Sequence, residues 1–120
     1  MAELNVRQNM SVDQKDVIDF VGRSKATGDI VLTISDHLDW NEHLDHLYAL
    51  QEKINCYLGY VESGQLVETY ADAKDKKVQI LIIFRFRPPP GDVQKFLVGA
   101  KETVESLGHS FSYQVHEERA

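Results

Sequence analysis

The chain has 120 residues, 42% hydrophobic and 27% charged, which is room for one domain with a real core but not for two. Its net charge of −6, with basic residues mostly dispersed, argues against nucleic acid as a partner, because phosphate contacts need a clustered cationic surface. Cys56 is the only cysteine, which excludes an internal disulfide or a multi-thiolate metal site and makes a reduced cytoplasmic setting the default expectation. The longest apolar run, Ile80 to Phe84, falls far short of a bilayer span, and nothing at the N-terminus reads as a secretory signal, so no membrane partner is expected.

Residues 1–15 are polar and aperiodic and read as a flexible arm, with residues 16–117 forming a single α+β domain. Val17 to Gly22 and Asp29 to Ser35 are β-rich runs joined by a short polar link ending in Gly28, the pattern of a hairpin. In the second run Ile30, Leu32 and Ile34 share one face.

A helix is expected from about Trp40 to Glu62. Asp39 and Glu42 stand at the spacing of a capping box, and Leu44, Leu47, Tyr48, Gln51, Ile54, Leu58 and Val61 form its stripe, broadened by Leu50 and Tyr57. Asp45, Glu52 and Lys53 read as its solvated face. Ser63-Gly64 ends it, and Leu66, Val67 and Tyr70 are placed to tuck back against its end. Val78 to Phe86 is apolar on both sides and reads as an interior strand, terminated by Pro88-Pro89-Pro90-Gly91. A second helix follows over Asp92 to Leu107, then a last strand from His109 to His116.

The order β-β-α-β-α-β predicts a two-layer α+β sandwich: a mixed four-stranded sheet, the hairpin strand antiparallel, with both helices on one face. Leu81 and Ile83 would then form an apolar centre on the open face, a candidate dimer contact. If the three later strands run parallel, their C-terminal ends share one sheet edge, where open α/β sheets tend to bind ligands. Asp36, His37, Asp39, Arg85, Arg87 and His116 would gather there.

The strand-to-helix corner Ile34 to His46 concentrates three histidines, four carboxylates and the only tryptophan. Three readings compete for it. Asp39, His43 and His46 lie within roughly 60° on a helix, and with His37 from the loop they would suit zinc or iron, though the spacing matches no established ligand motif. An Asp36/His37 or His37/His46 pair would suit acid–base work, but no nucleophile elbow places a serine or cysteine beside it. The structural reading has Asp36 or Asp39 capping the helix, Trp40 packing over the first turn, and the histidines bonded to backbone or water. It is the leading one.

Leu32-Thr33-Ile34-Ser35-Asp36-His37-Leu38-Asp39-Trp40, followed by Leu50 to Asn55, Tyr57-Leu58 and Glu62-Ser63-Gly64, resembles a family of small bacterial proteins, domain of unknown function 6572. The resemblance takes in Val17 to Phe20, the Asp72-Ala73-Lys74 turn and the strand after Lys77, covering about Val17 to Val115. It implies a bacterial cytoplasmic protein and lends no enzyme activity. His37, Trp40 and His46 match family positions and His43 does not, which shifts weight from a three-histidine site to the pair His37 and His46.

The sequence names no reaction. Its leading reading is a small binding or protein-interaction domain without catalysis, its partner an unidentified protein or small molecule, with a homodimer through the sheet face or its edge as a candidate assembly. The alternative is a small metal-binding protein or hydrolase-like enzyme using the Asp36–His46 corner. Candidate ligand-binding residues are Asp36, His37, Trp40, His46 and Arg85, and candidate metal ligands are His37 and His46. No catalytic residue and no cofactor is assigned.

Overall fold

The computed structural model describes residues 19–116. In chain order it contains β1 (Phe20–Arg23), β2 (Ile30–Asp36), α1 (His43–Glu62), a short α2 (Gln65–Thr69), a 3-10 turn (Ala71–Ala73), β3 (Val78–Phe84), α3 (Asp92–Ser106) and β4 (Ser110–Val115). The expected arm over 1–15, the start of the hairpin at Val17 and Ile18, and the tail from Glu117 lie outside the described residues.

The sheet runs β1-β2-β3-β4, with β1 antiparallel to β2 and the other two pairings parallel. This is the mixed sheet that the element order predicts. Alternation along β2 and β3 buries Ile30, Leu32, Ile34, Val78, Ile80, Ile82 and Phe84 on one face. That face packs into one core with Leu50, Ile54, Tyr57 and Leu58 of α1 and Val93, Leu97 and Val104 of α3. Each large apolar side chain buried there contributes about 1.5–3 kcal/mol by transfer from water. Leu81 and Ile83 lie half-buried on the opposite face. β3 stops at Phe84, so Phe86 is not part of the core face and is 42% exposed. Gly64 and Gly108, past the ends of α1 and α3, take the left-handed conformation at φ 89° and 87°. Leu66 is buried as expected, while Val67 and Tyr70 are exposed.

The face that α1 buries differs from the stripe expected of it. Leu44 and Tyr48 are 67% and 61% exposed, and the buried positions are His46, Leu50, Lys53, Ile54, Tyr57 and Leu58. Leu50, Ile54, Tyr57 and Leu58 are buried as expected, and His46 and Lys53 at the edge of the stripe rotate the buried face away from Leu44 and Tyr48. Lys53, expected on the solvated face, is fully buried.

What brings Lys53 inside is Asp19. Its Oδ1 accepts from Lys53 Nζ at 2.9 Å, with both side chains at 0% exposure. β2 runs three residues beyond its last described pairing with β1, Phe20 opposite Thr33. Side chains bond the main chain here. Ser35 N–H donates to Asp19 Oδ2 at 2.9 Å, the Tyr57 hydroxyl donates to Thr33 O at 2.6 Å, and Asp19 N–H donates to the Tyr57 oxygen at 2.8 Å. Burial pushes the Tyr57 hydroxyl far above the ordinary tyrosine range. Among the described residues no buried side-chain polar atom lacks a partner.

Removing one member of a buried pair strands the other. Lys53→Met should therefore cost about 3–5 kcal/mol in urea denaturation, and adding Asp19→Asn should recover part of that loss by removing the stranded carboxylate. Additive losses in the double variant would mean that the two residues do not act as a pair. Burial also pushes the Asp19 carboxyl above its ordinary 3.8, outweighing the pull of the Ser35 N–H and the Lys53 ammonium. The folded chain then holds that proton more tightly than the unfolded chain. The stabilisation is full below pH 3.8 and is lost as pH rises through the raised value. The advantage of wild type over Asp19→Asn should accordingly shrink as pH rises across this window, read from urea midpoints at each pH.

Candidate functional site

The corner after β2 is built by two aspartates in succession. Asp36 Oδ1 accepts from Leu38 N–H at 3.1 Å and Asp39 Oδ1 accepts from Asn41 N–H at 3.0 Å, so each closes a local turn over its own chain. The expected capping box does not form. α1 begins at His43, with Glu42 at the N-cap making no side-chain cap bond, because Asp39 has committed its carboxylate one turn too early.

Asp36 is the last residue of β2 and falls on the core face of the sheet, opposite Phe84. Its second oxygen meets His46 Nε2 at 2.6 Å, with the two side chains 0% and 2% exposed. The other ring nitrogen, His46 Nδ1, bonds the Asp39 carbonyl at 2.9 Å. A carbonyl only accepts, so Nδ1 carries a hydrogen and the Nε2–Oδ2 contact shares one further proton. The Trp40 ring lies over the imidazole, centroids 3.7 Å apart and planes within 17°, and Trp40 Nε1 donates to Phe86 O at 3.1 Å. Strand, loop, helix and the chain after β3 are thereby fastened at one point.

Around this buried pair lies an open depression of about 560 Å³ lined by His37, Leu38, Asp39, Glu42, Asp45, His46, Arg85 and Phe86. It sits at the C-terminal ends of β2 and β3, where Arg85 N–H continues the ladder to Asp36 O at 2.8 Å. His37, Asp39, Glu42, Asp45, Arg85 and Phe86 are exposed around it.

Of the residues singled out in the sequence, Asp36, Trp40 and His46 form one tight cluster, and His37 and Arg85 line the depression beside it. Arg87 and His116 do not line it. His116 Nε2 instead contacts Gln114 Oε1 at 2.7 Å. His43 lies 4.0 Å from Asp92 of α3. Among the described residues no group of three or more His, Cys, Asp or Glu is arranged to hold a metal ion. Both nitrogens of His46 are already bonded, so a metal there would have to displace Asp36 or the Asp39 carbonyl. Sequence reasoning missed Asp19, Lys53 and Tyr57. The available signal was the seven-residue step from His46 to Lys53, two turns along one side of the helix.

The chain belongs to a family of unknown function, DUF6572, whose model matches residues 10–117. No curated protein and no solved structure matches it.

His46→Ala leaves the Asp36 carboxylate buried without its partner and opens a cavity under Trp40. A loss of about 3–5 kcal/mol should follow in urea denaturation. Because Trp40 is the only tryptophan, the same variant should change the native fluorescence spectrum before any unfolding. Unchanged stability and emission together would show that the pair does not hold the corner.

Proposed function

We propose that the chain is a binding domain without catalysis, and that its recognition surface is the depression at the β2–α1 corner. One observation carries the reading. The only carboxylate–imidazole pair buried at the corner is saturated by its own neighbours beneath Trp40, while the exposed side chains around it remain accessible at the C-terminal edge of parallel strands. An acid–base catalyst needs a proton-accepting atom within reach of substrate, and His46 offers none in this arrangement. The hydrolase-like and metal-binding readings would require the pair to open.

The rim has a definite character. Asp39, Glu42 and Asp45 supply three carboxylates against Arg85 and His37, and Phe86 gives an apolar wall. A segment presenting a cationic side chain next to an apolar one fits it best, by charge complement and by burial of the ring. Cytoplasmic and bacterial settings belong to the same proposal, resting on the single cysteine and the family resemblance. So does self-association.

The test is an NMR titration of the full chain with a short peptide alternating lysine and leucine. Amide shifts should concentrate on residues 37–45, Arg85 and Phe86 and weaken with added salt. Glu42→Lys combined with Asp45→Lys should abolish them without lowering the melting temperature appreciably, both side chains being exposed. Shifts elsewhere, or shifts that survive the charge reversal, would defeat the proposal. Mass spectrometry of untagged protein covers the alternative, since stoichiometric metal that is lost in both His37→Ala and His46→Ala would replace the binding reading with a metal site.

A further inference from the structure

The two edges of the sheet differ in kind. β1 is four residues long and contains Gly22 and Arg23, features that blunt an edge. β4 is six residues, Ser-Phe-Ser-Tyr-Gln-Val, without charge, proline or glycine, and it lies outermost beside β3. The ladder shows which groups it leaves open. His116 N–H donates to Phe84 O at 2.8 Å, so by the two-residue repeat of a strand Gln114, Ser112 and Ser110 also turn their main-chain groups toward β3. Phe111, Tyr113 and Val115 turn theirs outward, and among the described residues no strand lies beyond them. A depression of about 290 Å³ runs beside this edge between α3 and β4, with Val98 58% and Tyr113 40% exposed along it.

We propose that this edge pairs with the β4 edge of a second copy of the chain, antiparallel about a two-fold axis at Tyr113, so that the two sheets become one. The proposal gives the self-association suggested above its surface and does not depend on what the corner binds.

Self-complementarity of the strand selects a second copy as the occupant. Two-fold pairing centred on Tyr113 sets each Tyr113 opposite its counterpart and Phe111 opposite Val115 of the second copy. All of these are positions whose N–H and C=O groups face outward. Aromatic–aromatic and aromatic–β-branched pairs are those that stabilise antiparallel ladders, and Ser112 would face Gln114 on the other side of the sheet. Charge points the same way. On a molecule of net charge −6, β4 and the residues lining the depression beside it hold no carboxylate, and Lys101 is their one charge. Two copies meet there without acid–acid repulsion. The contact also closes, since among the described residues each copy uses its one long free edge and only the four-residue β1 edge remains.

Light scattering on the full chain, with amide exchange followed by NMR, tests this. Wild type should show twice the mass of the 13.7 kDa chain, and the amides of Phe111, Tyr113 and Val115 should be protected although they face away from β3. Tyr113→Lys sets two ammonium groups against each other at the axis. Val115→Pro removes one outward N–H without touching the ladder to β3. Both should halve the mass and retain a cooperative melt, while Leu81→Lys on the open sheet face should leave the dimer intact. If Tyr113→Lys does not fold, Val115→Pro and the wild-type exchange rates decide. A monomeric wild type would overturn the proposal and leave the edge to an extended peptide of another protein. Fast exchange at all three amides within a dimer would overturn it too, as would a dimer that survives both edge substitutions or yields only to Leu81→Lys. None of these outcomes alters the lysine–leucine titration at the corner, so the two proposals fail separately.

Discussion

The docking of α1 onto β2 is fixed by two buried polar anchors on one side of the helix. His46 meets Asp36 at the end of β2, and Lys53 meets Asp19 where the described chain enters the sheet. The anchors are seven residues, about 10 Å, apart along the helix axis. Leu50, fully buried, lies between them. An apolar interface alone tolerates sliding and rotation, because one leucine contact resembles another. Here a slip by one turn would carry an imidazole and an ammonium past their carboxylates and break both buried pairs, each at a cost of kilocalories. Register, rotation and depth are therefore set together, and the price is that every member must be present.

The same constraint shapes the loop between β2 and α1. Asp36 has one oxygen in the local turn and the other on His46, while the Asp39 carbonyl takes the second ring nitrogen. α1 starts at His43, with no side-chain cap bond from Glu42. Trp40 closes the assembly from above and ties it to Phe86 beyond β3. Its ring also meets Phe84 at 5.7 Å, and Phe84 meets Tyr113 edge-on at 5.5 Å. Aromatic contacts thus run from the corner across β3 to the outer strand.

Strand and helix identities were legible because their signals are local. Val78 to Phe84 alternates through a completely buried face, the proline run ends it, and Gly64 and Gly108 mark helix ends. The mixed topology followed from connection lengths alone. What hydropathy could not show was the orientation of α1. Its inner edge is occupied by His46 and Lys53, residues that are buried only because carboxylates distant in sequence meet them, and a periodicity count treats both as solvent-facing. The capping box failed for a different reason: Asp39 and Glu42 have the right spacing, but the Asp39 carboxylate closes a local turn on Asn41 and the helix begins only at His43. Asp36, His37, Trp40 and His46 were grouped together in the sequence, but the pairs weighed there were Asp36/His37 and His37/His46, and the pair that forms is Asp36 with His46. Arg87 and His116, grouped with them by an argument from strand ends, do not line the depression.

The residues that draw most notice in the sequence are also those least available to anything outside the protein. An imidazole stacked under the only tryptophan and bonded at both nitrogens is spent on the fold. Loss of function on changing His46 or Asp36 would report first on stability and would not by itself locate a site. In the proposed reading, recognition is carried by groups whose removal leaves the anchors whole, namely the carboxylates of Glu42 and Asp45 and the walls formed by His37 and Phe86. A binding surface built this way can change its rim chemistry without disturbing the register of α1. The interior of the corner serves as scaffold, and the proposed recognition rests on its surface alone.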